Sequence, residues 1–437
     1  MISRLSDRFR NADADLKEVL HGSAVAFAVK ILAAGSAFAM NVVVARKLGA
    51  SEAGLFFLAF TLITIISAVS RLGLDQTFVR FISAHRVEND WSFINGLYRT
   101  GMIWSLLASL AAAFMLWSLA EPIAVRVFNK PEFAGVLAVM AWGIPLMALY
   151  VLHTRALQGL KRIPQAMFVL SVGVPLGLAV LVFAVSPESA ARTGWLYLAA
   201  ALATLAVGFY WWRQVPETNG VAGKVDRKMI LASAMPLLAV TVFQQITAWS
   251  SQVMLGAWST SADVAVFNAA QRTAMLTSFV LVAVNSISAP KFAELYRLGQ
   301  HDALRRTAKH ATRLMVLLAL GPLAIMLLFP DLILWFFGEE FTRGSDALRL
   351  LAIGQFINVA AGSVGFLLSM TGREKLLRNN TFFAALLALG LGVTLIPAFG
   401  IMGAAVATAC AVAAFNLLSV WQVKKTLGFN TLAFWKE

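Results

Sequence analysis

The sequence predicts an all-α integral membrane fold of about twelve transmembrane helices, arranged as two six-helix lobes related by a pseudo-two-fold axis along the membrane normal. Three observations predict it. The 437 residues are 59% hydrophobic and only 13% charged, with a mean hydropathy of +0.76, whereas a soluble domain carries about 25% charged residues. The apolar stretches are each about long enough to cross a bilayer, and Lys and Arg concentrate in alternate connections between them. The two halves also resemble each other at a spacing of 211 residues: Glu52-Ala53-Gly54-Leu55-Phe56 against Asp263-Val264-Ala265-Val266-Phe267, and Arg80-Phe81 against Lys291-Phe292. Six spans separate the copies, so both insert the same way up.

In chain order, residues 1–22 form a polar amphipathic segment with apolar positions Ile2, Leu5, Phe9, Leu16, Val19 and Leu20. It lacks a short apolar core followed by a small-residue cleavage site, so it reads as a helix on the cytoplasmic face and not as a secretory signal. Spans are expected at 23–45, 53–76, 97–120, 133–157, 164–185 and 193–213, which with their loops make a first lobe over 23–214. The Pro-, Gly- and Asn-containing segment 215–228 is expected to be a cytoplasmic linker. A second lobe, 229–423, is expected to hold spans at 229–256, 263–288, 312–337, 346–370, 379–399 and 401–423, followed by a cytoplasmic tail, 424–437. The last two spans are divided only by Pro397-Ala398-Phe399-Gly400. Pro175, Pro236 and Pro290 interrupt or end spans, and Pro236 frees a backbone carbonyl and permits a bend. Most Trp residues sit near span ends as interfacial anchors; Trp249 is less peripheral and is a candidate cavity residue.

Orientation follows from the cations. With both termini cytoplasmic, 26 of the 36 Lys and Arg lie on the cytoplasmic side, and six (Arg46, Lys47, Arg126, Lys130, Arg192, Arg343) lie outside. The net charge of +14 is spread over many short loops and forms no single patch, which excludes a nucleic-acid partner. One cysteine, Cys410, excludes a disulfide framework. No metal cluster, P-loop, dinucleotide motif or nucleophile with a base is present, so neither catalytic residues nor a cofactor are expected.

Three cations fall inside spans, where charge is costly and marks a functional site by default. Lys30 lies roughly 15 Å into span 1 at 1.5 Å per residue, too deep for easy snorkelling, and Arg272 lies at similar depth in span 8. Facing a shared cavity, they would pair with an anionic group, Arg through two parallel hydrogen bonds and Lys as a point charge. Arg71 and Asp75 stand one turn apart in span 2. They read either as a local ion pair or as a switch in which Asp75 takes a coupling ion while Arg71 turns to substrate. Gln244, Gln245 and Asn268 are amides on cavity helices suited to sugar hydroxyls, although amides within spans commonly bond helix to helix. Arg155, beside His153 at the cytoplasmic mouth of span 4, is a further candidate for attracting an anion.

Leu48-Gly49-Ala50-Ser51-Glu52-Ala53-Gly54-Leu55-Phe56, followed by Gly73-Leu74-Asp75-Gln76-Thr77-Phe78-Val79-Arg80-Phe81, resembles the first two helices of the polysaccharide transporters. These are the Wzx-type O-antigen and capsule flippases of the multidrug/oligosaccharidyl-lipid/polysaccharide (MOP) superfamily. Val266-Phe267-Asn268-Ala269-Ala270-Gln271-Arg272 resembles the seventh-to-eighth helix region of the same family. The resemblance implies a MATE-like, V-shaped protein of the bacterial inner membrane, with a cavity lined by helices 1, 2, 7 and 8. It implies alternating-access translocation of an undecaprenyl-diphosphate-linked oligosaccharide, coupled to protons or sodium ions. The implied partners are that lipid-linked oligosaccharide, the bilayer, and polysaccharide polymerase and chain-length proteins. Rival readings are a multidrug exporter, which would favour acidic cavity residues, and a lipid II flippase, which usually has two further helices. A membrane ligase, polymerase or acyltransferase is a different class; a periplasmic ligase or polymerase would need a substantial catalytic outer loop.

Overall fold

The structure, a computed structural model, describes residues 2–433 and 435, with side chains from residue 28 onward except at 283, 286, 287 and 290. The amphipathic face expected over 1–22 rests on side chains outside the described ones, and α12 continues through position 290, where a break was expected. Among the described residues the chain is helical, with no strand. The first half runs through α1 (Ile2–Ser70), α2 (Leu74–Val87), α3 (Trp91–Ser118), α4 (Ala120–Pro122), α5 (Phe133–Ala141), α6 (Gly143–Gly159), α7 (Ile163–Ser171), α8 (Gly173–Val185) and α9 (Ala190–Arg213). The second half holds α10 (Arg227–Trp258), α11 (Ser261–Met275), α12 (Phe279–Arg297), α13 (His301–Leu328), α14 (Pro330–Trp335), α15 (Ser345–Ala361), α16 (Val364–Met370) and α17 (Glu374–Leu427).

Among the described residues, seven helices are long and apolar enough to cross a membrane, and up to nine if each of two bent pairs counts as one. Two of the seven contain more than one crossing. α1 is broken at Gly49 (φ 71°) and α17 at Gly400 (φ 51°), a backbone region that glycine reaches without a Cβ penalty. α17 folds back on itself, since Asn380 Nδ2 donates to Ser419 Oγ and to Gln422 Oε1, both at 2.9 Å. The bent pairs are α5 with α6 (41°) and α7 with α8 (42°). Pro175 sits in the first turn of α8, where its missing N–H removes no helix bond. α11 and α12 join through a tight turn at Leu276–Ser278. The helix starts follow local chemistry: Asp90, Ser189 and Asp226 cap α3, α9 and α10, and Thr260 with Asp263 forms a capping box on α11. α10 is continuous through Pro236, so the proline does not end the span. Gly73, in the turn between α1 and α2 at φ 74°, packs on this stretch so closely that a Cβ would lie 2.1 Å from the Ala234 carbonyl oxygen.

The halves share one apolar core at one end; at the other the core divides, and the start of α10 packs with the first half through Ile230 and Ala234. The largest apolar cluster spans both, uniting Phe56 and Leu58 of α1 with Val264 and Phe267 of α11 and with Phe341. Toward the end that carries the α9–α10 connection and the close of α17, called here the terminal end, the core splits. Phe78, Ile82, Leu97 and Trp212 form one cluster, and Phe292, Leu304, Leu367 and Val423 form another. α1 and α2 face α10 and α11 across the seam. The approach is closest at Gly54, where an added Cβ would stand 1.7 Å from the Ser261 carbonyl oxygen. A backbone oxygen cannot yield as a side chain can. Gly54→Ala is therefore expected to destabilise the protein by about 1–3 kcal/mol or more through overpacking, read as a lowered melting temperature of the purified chain in detergent.

Candidate functional site

The seam between the halves is stitched by amides. Asn268 Nδ2 donates to Asn41 Oδ1 at 2.9 Å, both side chains being buried. Gln252 Nε2 reaches the Phe57 carbonyl at 3.3 Å and Gln245 Nε2 the Thr64 carbonyl at 3.4 Å, so α1 beyond Gly49 runs antiparallel to α10. Asn268 and Gln245 thus hold helices together in this structure.

Arg272, in the last turn of α11, lies where two cavities meet. One, of about 250 Å³, opens between α1 and the α11–α12 turn and is lined by Ala34, Phe38, Asn41 and Phe279. The other, of about 290 Å³, reaches into the second half between α10, α11, α15 and α17, with Gln244, Gln271, Gln355, Thr381 and Thr408 on its wall. The guanidinium sits 4.7 Å from the centre of the Trp249 ring, a cation–π contact, and Trp249 lines the second cavity. Gln271 is buried with its Oε1 unbonded. Lys30 is half-buried on α1. It precedes the cavity residues Ala34, Ala37 and Asn41 at helical spacing, so its position continues their face toward the terminal end. Among the described residues, neither Lys30 nor Arg272 forms an ion pair. The arrangement is a cationic, amide- and hydroxyl-lined recess beside an apolar opening, suited to an anionic group carried on an amphipathic molecule.

Arg71 and Asp75 form a separate cluster. Arg71 Nε donates to both Asp75 oxygens, at 2.8 and 3.0 Å, and Arg71 Nη1 to Ser67 Oγ at 3.0 Å; both charged residues are buried. The pair straddles the turn at Leu72 and Gly73, both at positive φ. Arg155, on α6, gives Nη1 to Gln158 Oε1 at 2.9 Å and leaves Nε buried without a partner. His153 lies buried against the Tyr98 hydroxyl, 3.2 Å from Nδ1. None of Arg71, Asp75 and Arg155 lines the two Arg272 cavities.

Sequence reasoning passed over the end opposite the termini. There Lys130 Nζ donates to the carbonyls of Phe128 (3.2 Å), Gly256 (2.6 Å) and Ser259 (2.8 Å). An ammonium has three N–H donors and carbonyls only accept, so all three donors are used. The bonds tie the α4–α5 connection to the C-terminal end of α10, where helix carbonyls lack partners. Burial pushes the Lys130 pKa below its ordinary value, and Glu132 and Asp263 oppose that push. Around it, Arg46 Nε donates to the Phe336 carbonyl at 2.7 Å, the Ala50 amide donates to Glu340, and Arg343 pairs with Asp263 at 3.0 Å. Three of these residues are among the six cations that the orientation rule leaves on the outer side, and that minority was the available signal.

Comparison with known proteins follows the fold. Residues 19–296 match the polysaccharide biosynthesis protein family, and residues 236–394 match the MatE family. An uncharacterized membrane protein of Methanocaldococcus jannaschii is 23% identical over 418 residues, covering 91% of this chain and 82% of that one. A probable low-salt glycan biosynthesis flippase of Haloferax volcanii is 28% identical over 171 residues, 39% of this chain and 36% of its own length. Among solved structures, the inward-facing conformation of a multidrug resistance MATE family transporter of the MOP superfamily aligns over 95% of this chain and 99% of its own, with a TM-score of 0.75 at 15% identity. That likeness is one of fold.

Proposed function

Because the chain belongs to the polysaccharide biosynthesis protein family and has the fold of a multi-pass membrane transporter, we propose that it flips an undecaprenyl-diphosphate-linked oligosaccharide across a bacterial inner membrane by alternating access. The observation that carries this reading is Arg272: a cation that, among the described residues, meets no carboxylate, stacked on Trp249 at the junction of a half-to-half opening and a polar recess. The diphosphate would pair with Arg272, with Lys30 nearer the entrance as a second positive charge. Gln244 and the other amides of the recess would bond sugar hydroxyls. Both termini would be cytoplasmic, as the 26-to-6 distribution of Lys and Arg supports. The recess would then open inward while the Lys130 contacts seal the periplasmic end. An organic-cation cargo is disfavoured, since Lys30 and Arg272 would repel it. A polysaccharide polymerase and chain-length proteins are the partners proposed downstream.

The test is flipping of a labelled undecaprenyl-diphosphate oligosaccharide in proteoliposomes. Movement above protein-free vesicles supports the reading; its absence with verified cargo and folded protein overturns it. Ion coupling has its own arm. If Asp75 is the coupling carboxylate, wild-type flipping rises with an imposed proton or sodium gradient, and Asp75→Asn flips at a rate the gradient no longer changes. A variant that keeps the gradient response assigns Asp75 to its ion pair with Arg71 alone.

A further inference from the structure

A cavity of about 950 Å³ lies away from the seam, and no step of the proposed transport cycle uses it. It stands at the upper end of the range for ligand pockets. It is built within the first half, between α3, α6 and α9, and the segment from Thr218 to Ala222 roofs it at the terminal end. We propose that this cavity is a binding site for an anionic bilayer phospholipid, separate from the path of the cargo.

Four observations support the assignment. The first is the order of polarity. Arg99, Arg213, Asn95 and Asn219 line the cavity where α3 begins and α9 ends, and Met102, Leu106, Leu205 and Leu202 line it deeper along the same helices. A lipid has the same sequence of headgroup, then chain. The second is charge. Arg99 and Arg213 are exposed and, among the described ion pairs, neither meets a carboxylate. The Arg213 guanidinium rests over the Phe209 ring at 5.0 Å, which orients it without neutralising it. Basic recesses between membrane helices near the cytoplasmic surface are suited to anionic headgroups. The third is Asn95, only 5% exposed. Its Nδ2 donates to the Glu217 carbonyl at 3.0 Å, while its Oδ1 is buried with no donor. The Nδ2 bond fastens the segment that roofs the cavity to the start of α3, which fixes the polar rim in place. The fourth is access: Ile103 on α3 and Leu202 and Phe209 on α9 are exposed, so the cavity opens sideways between these helices, where lipid chains would enter.

A headgroup that offers both a phosphate and hydroxyls fits this rim, and phosphatidylglycerol is the probe of that chemistry. Seated there, it would bind the roof segment to α3. That segment is part of the only covalent connection between the halves, and it already reaches α3 through Gly223 N–H to the Ser92 carbonyl at 2.8 Å.

The experiment is native mass spectrometry of the delipidated full chain with phosphatidylglycerol, phosphatidylcholine or undecaprenyl phosphate added singly and in competition. The wild type is expected to retain phosphatidylglycerol at least tenfold better than phosphatidylcholine. R99Q/R213Q is expected to lose that preference, whereas Lys375→Gln, an exposed cation of the second half near the same end, keeps it. Ala206→Trp, which fills the apolar wall without touching charge, is expected to lower retention at least fivefold, and it serves as the independent variant if the double substitution does not fold. Equal retention of the two phospholipids by the wild type overturns the site. So does unchanged retention in Ala206→Trp or in a folded R99Q/R213Q protein. Displacement of phosphatidylglycerol by equimolar undecaprenyl phosphate assigns the cavity to the carrier lipid and overturns the phospholipid assignment.

Discussion

Arg272→Gln is expected to lower the rate of lipid-linked oligosaccharide flipping at least thirtyfold while the protein inserts and melts as the wild type does. Removing one partner of a desolvated charge pair costs about 2–5 kcal/mol, and about 2 kcal/mol already corresponds to roughly thirtyfold at 1.4 kcal/mol per factor of ten. Gln removes the charge and keeps a planar hydrogen-bonding end on a shorter side chain, and the longer, charged Lys variant separates charge from reach. Stability should hold because, among the described residues, Arg272 has no carboxylate that the substitution would strand. Arg272→Lys should restore only part of the rate, since an ammonium acts as a point charge and cannot give two parallel bonds to one phosphate. The measurement is the initial rate in proteoliposomes, with melting temperature as the control. A Gln variant that flips cargo normally removes Arg272 from the site.

Lys130→Met is expected to open the end of the molecule opposite the termini. The substitution matches the length of the chain but leaves the carbonyls of Phe128, Gly256 and Ser259 without their donor. Hydrogen bonds to charged groups contribute about 1.5–3 kcal/mol each, and buried acceptors left alone add a further penalty. When the two halves separate, water can satisfy those carbonyls, so the penalty falls on the sealed state alone. A bias of about 3 kcal/mol moves a two-state equilibrium more than a hundredfold. Spin labels at positions 126 and 339, in a background with the single cysteine Cys410 replaced, report the distance across this end. The wild type should give a short, narrow distribution and the variant a longer one. An unchanged distribution would show that the neighbouring contacts of Arg46, Glu340 and Arg343 close this end without Lys130.

The two expectations differ in how early they could be read. Arg272 stood out in the sequence as a candidate, because a guanidinium in an apolar run is costly. Lys130 looked like an ordinary loop lysine; only folding brings it to the open end of α10, 126 residues away in sequence from Gly256. Asn268 and Gln245 suited sugar hydroxyls as isolated amides, yet the fold places each within reach of a partner on α1. Pro236 marked a possible interruption of its span, and α10 continues through it beside the close-packed Gly73 turn.

By itself the sequence determined the solvent of the chain and the type and rough limits of its helices, and it marked the cations whose depth makes them candidates. These follow from local quantities: hydropathy over a span's length and the cost of a charge at a given depth. Only the tertiary structure decided which polar groups spend their hydrogen bonds on one another and which stay open to a ligand. Asp75 is bonded to Arg71, whereas Arg272 lies over the face of Trp249 and, among the described residues, forms no ion pair. Hydrogen bonding acts over about 3 Å, so a side chain's partners depend on helix packing that no local stretch of sequence contains.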